Sequence, residues 1–261
     1  MVTSSPPTAA ALVAYDGGAF EGWQRHPGRP TAQGSLEDLL CAALGTEVRV
    51  NGAGRTDRGA HATGQVASFP LPEGSDLEAI ANGIAERNRE EIEVRALALA
   101  PAGFHARTDA SAKTYVYRLW RRELGGDDTP SNAWSVGGVH ALGPMQDALR
   151  ALVGTHDFRA FATPSGFERA STVRHLVRAD LEEDGPLITV TLQADAFLYK
   201  MVRNVVRAAV RVGEGKRSAD WIRDVLESQD RSGSPGAAPA SGLTLERVHY
   251  PHPLFGDDGE G

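Results

Sequence analysis

Residues 51–66 read NGAGRTDRGAHATGQV, and the last three of them open the alternating run GQVASF (64–69). One aspartate, Asp57, stands between Arg55 and Arg58, with glycines at 52, 54, 59 and 64. The Gly-Ala-Gly start invites a dinucleotide reading. That reading requires G-x-G-x-x-G turning from a strand into a helix whose N-terminus holds the phosphate. Here Asp57 occupies the place of the third glycine, the downstream residues alternate as a strand, and a Walker lysine is absent. A doubly wound nucleotide fold is therefore disfavoured, and a strand–loop–strand presenting one carboxylate takes its place. Glycine lets backbone approach a ligand closely. A neighbouring guanidinium favours the ionised form of a carboxylate, the form that a nucleophile needs. A turn closed by a surface ion pair explains the stretch equally well, so its residues alone leave both readings open.

Outward from this loop, periodicity lays out the remaining elements. ALVAY (11–15) predicts a strand. SLEDLLCAALG (35–45) predicts a helix, with Leu36, Leu39, Leu40, Ala43 and Leu44 on one face, Ser35 as its cap and Gly45 at its end. TEVRV (46–50) reads as a strand, SDLEAIANGIAERN (75–88) as a helix and EIEVRALALA (91–100) as a strand. In the second half, TYVYRLW (114–120) is a strand by composition, and GGDDTPSN (125–132) is turn-rich. PMQDALRALVG (144–154) is a helix with Pro144 in its first turn and Gly154 at its end. TVRHLVRADL (172–181) and PLITVTLQA (186–194) read as paired strands around the turn EEDG. Helices follow near 200–212 and 219–227, then a loop over SGSPGAAPASG (232–242) and a closing strand in LTLERVHY (243–250). Strands and helices mix without strict βαβ alternation, which predicts an α+β fold with a mostly antiparallel sheet flanked by helices. The expected division is a flexible tail over 1–10, lobes over 11–105 and 106–255, and an acidic tail over 256–261.

The chain has 261 residues, of which 41% are hydrophobic, and a formal net charge of −7. These values fit a soluble globular protein of one large domain or two lobes. The single cysteine, Cys41, rules out an intrachain disulfide and fits a reducing compartment. Its place in an amphipathic helix predicts a core residue. The start of the chain lacks the basic n-region of a signal peptide, no run has the length and apolarity of a membrane span, and the cytoplasm is the expected location. The negative net charge argues against a nucleic-acid partner, but binding follows local potential. Two segments, 104–122 and 200–217, are locally basic, the second with six cationic residues against Glu214. In the second, Arg203, Arg207 and Arg211 recur every fourth residue opposite an apolar stripe of Val202, Val205, Val206 and Ala209. Such a helix suits phosphate contact, and a merely solvated face explains it nearly as well. His249 and His252 lack further ligands, so no metal is expected.

Six stretches together resemble the tRNA pseudouridine synthase I (TruA) family. They are YDGGAFEGWQ (15–24), AGRTDRGAHATGQV (53–66), FHAR (104–107), KTYVY (113–117), AFLYKMVRN (196–204) and GLTLERVHYP (242–251), in the family's order across nearly the whole chain. The resemblance implies the two-lobed pseudouridine synthase fold, acting as a homodimer on tRNA. It further implies conversion of uridine to pseudouridine at positions 38, 39 and 40 of the anticodon stem-loop, without cofactor, nucleotide or metal. Asp57 then matches the catalytic nucleophile, Tyr115 the tyrosine that packs on the target base, and Arg203 the arginine that pairs with the aspartate. Arg55 matches the residue implicated in base flipping, and Phe104, His105 and Arg107 lie along the RNA path. A catalytically silent RNA-binding module on the same fold is the alternative, although binding alone would not require the trio Asp57, Tyr115 and Arg203. Two departures stand out. Asn88-Arg89 replaces a common Leu-Pro, and Arg58 follows the aspartate where a small residue is usual. The segment 121–138 also matches only loosely.

Overall fold

Small residues open the chain's first strand. Ala9, Ala10, Ala11 and Val13 are wholly buried on β1 (Thr8–Tyr15), because that strand is bonded on both edges and alanine lets its neighbours close in. The computed structural model describes residues 6–164 and 170–256. Residues 1–5 and 257–261 of the two expected tails lie outside the described residues. After β1 come α1 (Ala32–Leu44), β2 (Asn51–Gly52), β3 (His61–Pro70), α2 (Leu77–Ala85) and β4 (Ile92–Ala100). The chain continues through β5 (Ala112–Arg121), α3 (Arg122–Gly125), β6 (Trp134–Val136), α4 (Leu142–Arg150) and β7 (Gly154–Asp157). It ends with β8 (Val173–Asp184), β9 (Leu187–Ala194), α5 (Met201–Gly213), α6 (Asp220–Ser228) and β10 (Leu243–His249). Two compact units result, one over Met1–Ser111 with Leu245–Gly261, the other over Ala112–Thr244.

In the first unit the strand order is β4-β1-β3-β10. β1 runs antiparallel to both neighbours, with Leu12 opposite Val66 on β3 and Ala96 on β4. Helices α1 and α2 pack with β4. Leu36 and Leu40 are fully buried on α1, a contribution of roughly 1.5–3 kcal/mol each. The expected Ser35 cap is corrected. Thr31 is extended (φ −135°, ψ 145°) and its hydroxyl accepts from Gly34 N at 3.3 Å, so the helix starts a turn earlier. Ser35 N already donates to Thr31 O at 3.0 Å. Gly45 ends the helix in the left-handed region (φ 67°), as expected.

The strand expected over 46–50 does not form either. Val48 N donates to Cys41 Sγ at 3.2 Å and Val50 N to Glu37 Oε1 at 3.1 Å. Side chains of α1 thus take the bonds that a neighbouring strand would have supplied, and regular pairing begins only at Asn51 opposite Ser68. Asn88 settles the connection into β4. Its Oδ1 accepts from Val94 N at 3.0 Å.

In the second unit the order is β5-β9-β8-β7. β8 and β9 form the expected hairpin, but pairing extends to Asp184 opposite Leu187, so the turn is Gly185-Pro186 rather than EEDG. β6 adds to β5 in parallel, with Leu119 opposite Trp134. Neither β6 nor β7 was legible, since three- and four-residue strands are too short to show a period. On α4 the sequence boundary also shifts. The helix ends at Arg150, and Gly154 (φ 119°) opens β7 instead of closing the helix. α5 buries Val202, Val205, Val206 and Ala209, the apolar stripe read from the sequence. The fold is α+β, with mostly antiparallel strands flanked by helices.

Candidate active site

The Asp57 loop, residues 53–60, joins β2 to β3 and is anchored at nearly every step. Ala53 N donates to Val66 O at 2.7 Å, and Gln65, wholly buried on β3, donates its Nε2 to Gly54 O at 2.8 Å. Thr56 is buried and bonded twice. Its carbonyl accepts from Trp23 N at 3.2 Å, and its hydroxyl lies 2.8 Å from that of Tyr15 on β1. Ala60 N then donates to Asp57 O at 3.1 Å and closes the turn. Side chains alternate along it, with Arg55 exposed, Thr56 inward, Asp57 half-buried and Arg58 exposed.

Close packing explains two of the glycines in this stretch. A Cβ on Gly52 would stand 2.5 Å from the Trp23 indole, and one on Gly64 would stand 2.0 Å from Glu246 O on β10. Both are places where the backbone must touch a ring or another strand, and no phosphate cradle is involved. Arg58 reaches away from the loop toward Glu21, 3.9 Å from its Oε1.

The 104–109 turn belongs to the same unit. Ala106 N donates to Ser68 Oγ at 3.1 Å. Ser68 lies seven residues along β3 from His61, roughly 23 Å at 3.3 Å per residue. Asp57 and Arg55 therefore sit together, while Phe104, His105 and Arg107 lie toward the other end of β3. Phe104 packs edge-on against Tyr250 at 5.2 Å, and Tyr250 donates its hydroxyl to Ala106 O at 2.7 Å. His105 Nδ1 accepts from Arg107 N at 3.1 Å, which directs its Nε2 edge away from the turn, and Arg107 is exposed.

Tyr115 and Arg203 belong to the second unit. Tyr115, 7% exposed on β5, meets Phe197 edge-on at 5.1 Å. Arg203 on α5 is half-buried, and its Nε donates to Ala238 O at 2.7 Å, while Ala238 N returns a bond to Arg203 O at 3.0 Å. The loop at 232–242 thereby orients this guanidinium. The other two arginines of the stripe have protein partners. Arg207 stacks over Trp134 at 5.1 Å, and Arg211 pairs with Glu214 at 3.4 Å.

Three supporting residues escaped the sequence reading. Asn204 is wholly buried and donates to Phe161 O at 2.7 Å. Its position next to Arg203 in MVRN was the available signal. Lys200 enters α5 with φ 58°, a strained conformation for a residue with a side chain. Glu37 is fully buried on α1, where Arg25 (2.6 Å) and Arg49 (3.1 Å) compensate its charge. Its place among leucines gave no sign of those partners.

The chain resembles known proteins over most of its length. The tRNA pseudouridine synthase family profile matches residues 148–251, a span that includes Arg203. The chain is 36% identical over 241 residues to tRNA pseudouridine synthase A of Geobacter sp. (strain M21), covering 92% of this chain and 97% of that one. It is 39% identical to the protein of the same name from Geobacillus kaustophilus (92% and 93% covered) and 40% identical to that from Frankia casuarinae (92% and 88%). Among solved structures, the archaeal box H/ACA sRNP Nop10-Cbf5 complex is similar at a TM-score of 0.33 and 11% identity, covering 90% of this chain and 59% of that one.

Proposed function

This chain belongs to the tRNA pseudouridine synthase family, and we propose that it isomerises uridine to pseudouridine at positions 38, 39 and 40 of the tRNA anticodon stem-loop, with Asp57 as nucleophile. The observation that carries the reading is the anchored loop that presents the Asp57 carboxylate. Asp57 follows a residue fixed by Trp23 and Tyr15, in a loop between two strands whose Gly52 and Gly64 pack against a ring and another strand.

The reaction breaks the bond between the sugar and the base nitrogen, turns the base, and joins the sugar to carbon 5; carbon 5 gives up its proton and the freed nitrogen takes one up. Atoms and electrons balance without oxidant, reductant or phosphate donor. The target uridine has to leave the stack, at a cost of a few kcal/mol, and Arg55, exposed two residues before Asp57, fills the vacated space. Tyr115 stacks on the extruded base, and Arg203 compensates the charge of Asp57. Phe104, His105 and Arg107 contact the RNA farther along. Within this reading the protein works as a cytoplasmic homodimer. No helix among the described residues is long and apolar enough to cross a membrane.

Tritium release from tRNA carrying 5-tritiated uridine tests the proposal, since each product formed frees one label. Release by the wild type, with none from a folded Asp57→Ala control, supports it. A folded wild type that binds tRNA and releases nothing would point to the silent RNA-binding module or to another target RNA.

A further inference from the structure

The residue after Asp57 is an arginine, and it shares its partner. Arg58 Nη1 lies 3.9 Å from Glu21 Oε1, while Arg29 Nη1 donates to Glu21 Oε2 at 2.8 Å. One carboxylate thus faces two guanidiniums that arrive from different segments. The arginine side chains are 77% and 63% exposed, against 29% for Glu21. Backbone bonds hold both segments in place. Glu21 N donates to Pro30 O at 2.8 Å, and Trp23 N to Thr56 O at 3.2 Å.

We propose that Arg29, Glu21 and Arg58 form a phosphate clamp, which takes a backbone phosphate of the RNA substrate beside the Asp57 loop. The inference rests on the reading of this protein as an RNA-modifying enzyme. Its physical basis is the charge count, since two guanidiniums share a single carboxylate and one positive charge is left over. An exposed pair of this kind adds little to stability, so the arrangement serves what it attracts. A guanidinium matches a phosphate with paired, charge-assisted hydrogen bonds. Such a contact sets the register of the RNA without reading its sequence. Glu21 acts as the counter-ion that keeps the two arginines together until RNA arrives, and the phosphate displaces it.

The test is the salt dependence of binding to an unmodified tRNA transcript, for wild type, Arg58→Ala, Arg29→Ala and Glu21→Gln. Each arginine variant is expected to flatten the slope of log affinity against log salt by about one. Glu21→Gln, which uncovers both guanidiniums, is expected to bind more tightly than wild type at low salt. A purely structural role would move thermal unfolding and leave the salt slope alone. Wild-type slopes in both arginine variants would overturn the clamp, and a Glu21→Gln protein no tighter than wild type would overturn the counter-ion role. A wild type that bound no tRNA at any salt would overturn the proposed function and the clamp together.

Discussion

The hydroxyls of Tyr15 and Thr56 meet at 2.8 Å in the buried part of the first unit, 41 residues apart in sequence. The contact ties β1 to the residue directly before Asp57, so the loop hangs from the centre of its sheet. Tyr15 itself packs against Phe20 and Trp23, with ring centroids 6.1 and 6.0 Å away. The loop that carries Asp57 is therefore positioned by residues on other segments of its unit.

Removing either hydroxyl tests that dependence. Tyr15→Phe and Thr56→Val should each lower stability by about 1–2 kcal/mol, because each leaves the other hydroxyl buried without this partner. The double variant should lose less than the sum, by about 0.5–1.5 kcal/mol, in urea unfolding. Tyr15→Phe should also slow single-turnover pseudouridine formation about tenfold as Asp57 gains freedom. Additive stability losses would mean that the two hydroxyls do not depend on one another.

Asp57→Asn keeps the size of the side chain and removes its nucleophilicity. Single-turnover product formation should fall by roughly a thousandfold or more, with tRNA affinity within a few-fold of wild type. Retained turnover would sink the nucleophile assignment.

Gly64→Ala probes the packing between β3 and β10. The added Cβ would stand 2.0 Å from Glu246 O, an overlap with backbone that no rotamer relieves. Overpacking of this kind costs about 3 kcal/mol or more. The expected readout is a large fall in the denaturation midpoint, with protection from hydrogen exchange lost first in these two strands. A midpoint within experimental error of wild type would contradict the close approach.

Alkaline pH should destabilise the fold through its phenols. Burial pushes Tyr15 up to about 12, and burial also raises Tyr117 and Tyr250. Between the ordinary value of 10.0 and about 12, folded Tyr15 keeps a proton that the unfolded chain releases. The stability it contributes is thus complete below the unfolded value and is lost as pH rises through the folded one. The loss for Tyr15 is on the order of 2–3 kcal/mol. Ultraviolet titration of the native protein should show late phenolate formation for Tyr15, Tyr117 and Tyr250. Titration of these three near the ordinary value would refute it.

Much of this architecture was legible because it repeats. α1, α2 and α5 announced themselves by the spacing of apolar residues, and β1, β3 and β4 by alternation. The failures share a cause in bonding partners. Ser35 and Thr31 are equally good caps by residue type, and only the extended backbone at Thr31 selects between them. Residues 46–50 have the composition of a strand, but Cys41 and Glu37 of α1 reach their backbone first.

The linear sequence by itself determined the class of fold, the loop that carries Asp57, and the family, because periodicity and short motifs are properties of neighbours along the chain. Tertiary structure alone decided what holds that loop. Tyr15 on β1, Gln65 on β3 and Trp23 in an intervening loop converge on residues 54–56. The carboxylates show the same division. Glu37 and Glu21 are ordinary acidic residues in sequence, yet one is buried between two arginines and the other lies at the surface shared by two more. The physical reason is that hydrogen bonding and charge compensation act through space over a few ångströms, between residues whose separation along the chain leaves no local trace.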